Sequence, residues 1–259
     1  MIERVIATRF EKVMSSGRTN PCLLTCETEA GNDVEVVVKP RAHPQIFPGA
    51  FCAEAFCSLL ADDLDLPVQK PYRVMIEEAF AKTVPDPSLR DRFEKSVGEN
   101  FGCAKWGQGF TIWPKDKRPT KDSQKLVSEI FTFDAVIQNP DRKYPTPNLS
   151  FKGNDLIVFD HEAAFSNFRS IFPANPWEPS TMDFLKNHIF YRALKGGDLR
   201  LERFQGGLVA VNQKRLDSYQ RAIPLEWESE SINGDKIRAY LLDCGGNFDQ
   251  IKMQLEALL

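Results

Sequence analysis

Histidine is scarce in this chain, with three in 259 residues. The six cysteines, at positions 22, 26, 52, 57, 103 and 244, form no Cys-x-x-Cys pairs and have no histidine at zinc-ligand spacing. Little material therefore remains for a structural zinc or a histidine-rich metal site, and the cysteines read as small buried hydrophobes. No apolar run approaches the length that spans a bilayer. Met1-Ile2-Glu3-Arg4 opens without the apolar core of a signal peptide, so a cytoplasmic protein with no membrane partner is expected. Neither sign of charge dominates: 33 Lys and Arg against 36 Asp and Glu leave a formal net charge of -3. That is no footprint for nucleic acid, and direct nucleic-acid binding is not expected. Internal repeats and low-complexity tracts are missing. The glycine-containing piece Phe101 to Phe110 neither leads from a strand into a helix nor ends in Gly-Lys-Ser/Thr, which excludes a Walker P-loop and predicts a packed loop.

What the chain does have is an apolar content of 42 %, enough for a substantial core in one large domain or in two lobes sharing a cleft. Residues 2 to 40 alternate apolar and polar in short bursts between turn signals and predict antiparallel sheet. The strongest strand, Val34 to Val38, runs into Lys39-Pro40. A helix is expected from Pro48 to Leu64. Within it Glu54 stands among Phe51, Ala53, Ala55 and Phe56, and a carboxylate there is costly unless paired. Lys39 is the natural partner, an Arg elsewhere or a solvated stripe being the alternatives. Leu66 to Ile76 reads as a turn and a strand. The division between a β-rich part (1–80) and a mainly helical part (81–259) is expected between Glu77 and Pro87.

Beyond it the pattern predicts a short helix from Ser88 to Val97 and a solvated basic loop at Lys115, Lys117, Arg118 and Lys121. A helix capped by Asp122 or Ser123 should run to Gln138, with Leu126, Ile130, Phe133 and Ile137 on one stripe. Asp134 inside it either holds the following loop backbone or sits on the surface. Further helical patterns fall at Ser180–Tyr191, Gly207–Ile223, Asp235–Leu242 and Phe248–Leu259.

The stretch from Asn139 to Phe165 carries the chemistry. Two apolar runs joined by Lys152-Gly153-Asn154-Asp155 predict a hairpin, with Gly-Asn supplying the positive backbone angles of a tight turn. Its ends bring Asn148 and Asp160 together, and an amide oxygen beside a carboxylate suits magnesium held jointly with phosphate. Asp141, seven residues before Asn148, is then placed to orient or deprotonate an attacking hydroxyl.

The strings Phe133-Asp134-Ala135, Asn139-Pro140-Asp141-Arg142, Asn148-Leu149 and Asp160-His161-Glu162 resemble the HipA-like kinase domain family. The Ala/Leu helix, Leu-Pro turn and apolar strand before them are similar to it too. His-Arg-Asp and Asp-Phe-Gly, the marks of eukaryotic kinases, are missing, and the gap from Asp to Asn is wider. The resemblance implies an α+β, bilobal protein-kinase-like fold, with a small antiparallel β lobe carrying one main helix and a larger, mainly helical lobe. It implies ATP and Mg2+ as cofactors, with Asp141, Asn148 and Asp160 catalytic and Asn148 and Asp160 on the metal. Lys39, paired with Glu54, would contact the nucleotide phosphates, and residues 74 to 80 would join the lobes and meet the adenine edge with their backbone. The Ser15 to Pro21 loop lies where such folds cover the phosphates. Ser15, Ser16 and Arg18 would bind them there, unless the loop is a plain hairpin.

The acceptor implied is a Ser or Thr hydroxyl on a protein, and an antitoxin-like partner protein belongs to the same expectation. A lipid or small-molecule hydroxyl is an alternative acceptor, and a catalytically silent nucleotide-binding module an alternative function. A metal-dependent nuclease built on Glu35, Lys39 and Asp160 leaves Asp141 and Asn148 unused and fits the acidic balance poorly.

Overall fold

The computed structural model describes residues 2–14 and 19–259. Ser15, Ser16 and Arg18, expected at the phosphates, lie outside the described residues.

The chain begins with three strands, β1 (Glu3–Val13), β2 (Cys22–Thr28) and β3 (Asp33–Val38), paired antiparallel in order. Helix α1 (Ala50–Asp63) and strand β4 (Pro71–Ile76) follow, then α2 (Glu78–Ala81), α3 (Pro87–Glu94) and β5 (Gly98–Ala104). The strands close a barrel in the order β1-β2-β3-β5-β4, and β4 joins β1 in parallel. The β part is therefore not purely antiparallel as expected: closing on β1 gives β4 a partner and leaves no edge unpaired. Val5, Leu24, Val36, Val38 and Val74 fill the barrel.

Two expectations change here. Phe101 to Ala104 is strand rather than packed loop, and the barrel extends to Ala104, so a division at residue 80 cuts through it. Local alternation hides this strand because Gly102 has no side chain. A Cβ there would stand 2.6 Å from Val36 Cγ1 and 3.0 Å from Val74 Cγ2, so only glycine lets β3 and β4 close over β5.

Every residue of α1 from Ala50 to Ala61 is buried, as expected of a helix that is apolar or small on all sides except at Glu54. Phe51 packs edge-on against Trp227, and Phe56 against Tyr219. Phe51 also packs on Phe101 of β5, with ring centroids 6.1 Å apart, so the helix is held between the barrel and the helical body.

That body starts with β6 (Thr111–Ile112), α4 (Gln124–Val136), β7 (Leu149–Lys152) and β8 (Asp155–Val158), the three strands forming a small antiparallel sheet. It ends with α5 (Tyr191–Leu194), α6 (Glu202–Ala210), α7 (Gln213–Ala222), α8 (Gly234–Gly246) and α9 (Phe248–Leu258). The single helix expected over 207–223 is two, because Asn212 caps a new start by accepting from Arg215 N at 3.1 Å. The Ser180–Tyr191 pattern becomes a 3-10 turn at Asp183–Asn187 followed by α5. Ser123 stands at the start of α4, but its hydroxyl donates to Thr120 O instead of capping. Among the described residues no helix is long and apolar enough to cross a membrane.

Candidate active site

The β7–β8 hairpin forms where expected, with Lys152 opposite Asp155 and a positive φ of 60° at Gly153; Asn154 has none. Its ends meet, as Phe159 N donates to Asn148 O at 3.2 Å. Both flanking residues are left-handed, Asn148 at φ 48° and Asp160 at φ 59°. Asn and Asp adopt that region more readily than other side-chain-bearing residues, so the types that suit the backbone also carry the oxygens.

Behind the hairpin lies a buried polar centre. The Arg142 and Asp134 side chains are 0 % exposed and form an ion pair through the guanidinium Nε and Nη2. Arg142 Nη1 donates onward to the carbonyl of Asn148. Asn139 Nδ2 donates to Asp134 Oδ1 at 2.9 Å. Asp134 thus holds the loop as one of its two readings had it, but through the side chains of Arg142 and Asn139. Removing Arg142 strands a buried carboxylate, so Arg142→Ala should cost about 3–5 kcal/mol of stability, read from the denaturant midpoint.

His188 completes this centre and was not anticipated. Its Nε2 lies 2.9 Å from Asp134 Oδ2, and its Nδ1 accepts from Phe190 N at 3.0 Å. An accepting Nδ1 carries no proton, so the ring is neutral and Nε2–H donates to Asp134. Burial holds the His188 pKa below its ordinary value, and Asp134 offsets only part of that. Burial likewise disfavours the charged Asp134, but Arg142 and His188 outweigh it and keep the carboxyl well below the usual range. Both groups resist protonation more in the folded chain than in the unfolded one. Their stabilisation is therefore full above about pH 6.5, falls as His188 in the unfolded chain takes up protons, and falls again below about pH 4 for Asp134. The His188 and Asp134 contributions should lower the urea midpoint from pH 8 to 6 and again to 4, and His188→Gln should shrink the first step, to which His43, also held below its ordinary value by burial, contributes.

Lys39 directly follows β3 with its side chain almost buried, and Nζ contacts three carboxylates: Glu54 Oε1 at 2.9 Å, Asp160 Oδ1 at 2.8 Å and Glu162 Oε2 at 2.8 Å. The structure thus brings Lys39, Glu54 and Asp160 together. Glu54, 2 % exposed in its side chain, is further held by His161 N at 2.8 Å. Burial alone would lower the Lys39 pKa, but Asp160, Glu54 and Glu162 raise it well above its ordinary value. Burial also penalises the Glu54 carboxylate, and Lys39 and His161 overcome this. Glu162 is different: burial, Asp160 and Glu54 push its pKa up, and Lys39 cancels only part of the rise. Glu162 had no assigned role from sequence.

The carboxylate oxygens of Glu54, Asp160 and Glu162 lie within 4.8 Å of one another. They line one side of a cavity of about 210 Å³ that Asp141 and Asn148 also line. Asn148 Nδ2 donates to Asp141 Oδ2 at 3.2 Å. That turns the amide nitrogen toward Asp141 and leaves the Asn148 oxygen for other partners. Met14 and Thr19, the described residues flanking 15–18, line the cavity as well. Gln69, Cys103 and Trp106 line it where the stretch 74–80 was expected; residues 74–76 are spent in β4 pairing with β5.

A family profile described as HipA-like kinase matches residues 6–243. The proinflammatory kinase CtkA of Helicobacter pylori has a similar fold, with a TM-score of 0.53 at 12 % identity over 100 % of this chain and 99 % of that one. The Golgi casein kinase is similar at a TM-score of 0.50 and 14 % identity, over 99 % of this chain and 74 % of that one. No curated protein sequence matches the chain. The mixed α/β fold is thus one that solved kinases share.

Proposed function

This chain belongs to the HipA-like kinase family, and from that premise we propose that it transfers the γ-phosphoryl group of ATP, with a divalent cation, to a Ser or Thr hydroxyl of a protein. In this reading the barrel with α1 is the small lobe of a bilobal kinase-like fold and the helical body the large one. The observation that carries it is the meeting of Lys39, Glu54, Asp160 and Glu162 on a cavity that also holds Asp141 and Asn148.

The donor set fits a divalent cation. Three carboxylates share one ammonium, an excess of hard, negative oxygen of the kind that binds magnesium or manganese. Asp160 would hold the ion with the free oxygen of Asn148, and Glu162 stands within reach of the same place. When bound, the ion neutralises charge on the β- and γ-phosphates. Lys39, kept in place by Glu54, is the protein's own cation for the phosphates. Asp141, its second oxygen steadied by Asn148, accepts the proton of the acceptor hydroxyl as that oxygen bonds to the γ-phosphorus and ADP departs.

The test is incubation of the chain with γ-labelled ATP, magnesium and lysate proteins. The expected result is label on protein, in acid-stable ester form. Label in the lipid or small-molecule fraction would change the acceptor. Tight Mg-ATP binding without any transfer would leave a nucleotide-binding module in place of an enzyme.

A further inference from the structure

The cavity also has apolar walls, Phe101, Cys103, Trp106 and Phe159, with the Trp106 and Phe159 rings packed edge-on at centroids 4.8 Å apart. A flat heteroaromatic base fits such walls, but its edge still needs polar partners. Part of the backbone at the end of β5 is already paired. Ala104 N donates to Lys70 O at 2.9 Å and Lys105 N to Glu35 O at 3.0 Å. Ala104 O accepts from Gln69 Nε2 at 2.9 Å. A carbonyl only accepts, so the Gln69 amide is fixed with its nitrogen toward Ala104 and its oxygen the other way. That oxygen makes none of the hydrogen bonds among the described residues, and Gln69 lines the cavity.

The spacing suits a nucleotide. Ala104 pairs with Val36 of β3, three residues before Lys39, which is about 10 Å at the usual rise per residue. We propose that Gln69 is the residue that selects the nucleobase, its side-chain oxygen accepting from the exocyclic amine of adenine and rejecting guanine. Guanine carries a carbonyl oxygen at the same position, so two acceptors would face each other with no hydrogen between them. The inference rests on the phosphotransferase reading and adds what that reading lacks, a side chain that distinguishes one nucleoside triphosphate from another.

Binding of Mg-ATP and Mg-GTP is measured by calorimetry on the parent chain, on Gln69→Leu and on Gln69→Met, which keeps the length and removes the amide. The parent should prefer ATP by about tenfold or more. Both variants should bring the ratio close to one, mainly by weakening ATP. A parent with no preference overturns the assignment. So do variants that weaken both nucleotides equally, since Gln69 would then only brace Ala104. A parent that binds neither nucleotide removes the phosphotransferase reading, and this inference with it.

Discussion

Asp141→Asn should lower phosphoryl transfer by about 10²-fold or more while Mg-ATP binding survives. The substitution keeps the shape of the side chain and an oxygen able to accept from Asn148 Nδ2, the contact now made at 3.2 Å. What it removes is the basic oxygen proposed to take the proton from the acceptor hydroxyl. Asp141 N is itself held by Asn139 Oδ1 at 3.2 Å, and Asn139 by Asp134, so the loop keeps its place in the variant. The loss should appear in kcat rather than in nucleotide affinity, with both measured on one preparation. Loss of Mg-ATP binding in this variant would mean that the carboxylate serves the metal.

Asp160→Asn should do the opposite. Its carboxylate is one of the three around Lys39 Nζ, and an amide there still accepts from the ammonium but supplies no charge to a cation. The magnesium-dependent part of ATP affinity should disappear, and turnover with it. Affinity in the absence of metal should not fall, because the variant holds Lys39 less firmly and leaves its charge freer for phosphate. Titrations of ATP with magnesium and with a chelator separate the two components. If Asp160→Asn keeps the magnesium-dependent component while Asp141→Asn loses it, the two roles are exchanged; if both variants keep full turnover, this cavity is not the active site.

Much of this arrangement is legible in the chain because it is local. The β7–β8 hairpin carries its own turn residues, so the meeting of Asn148 and Asp160 follows from a dozen neighbouring positions. Glu54 announces a partner by standing in an apolar helix, and Lys39 closes the strand before it. What could not be read depends on contacts distant in sequence. Strand β5 enters between β3 and β4 at a glycine that shows no alternation, so the barrel ran on past the expected boundary. The closing pair of β1 and β4 joins segments almost 70 residues apart, and no local pattern records it. His188 lies 54 residues from Asp134 in a stretch read only as helical, and its place is set by the packing that buries both. Gln69 follows a Leu-Pro turn, where it reads as any polar residue before a strand. Glu162 follows a left-handed Asp160 into a turn, so no regular spacing points it to Lys39.

In the proposed reading the cavity between the barrel and the hairpin holds a metal-bound nucleotide against Asp160, with Asp141 at the acceptor side. A crystal structure of the chain with ADP and manganese tests this most directly, because the anomalous signal of manganese locates the ion without reference to the protein. The expected result is a peak bonded to a carboxylate oxygen of Asp160, diphosphate oxygens on its other side, and Asp141 outside the coordination sphere. A peak bonded to Asp141 and not to Asp160, or a nucleotide bound away from Lys39, would contradict it.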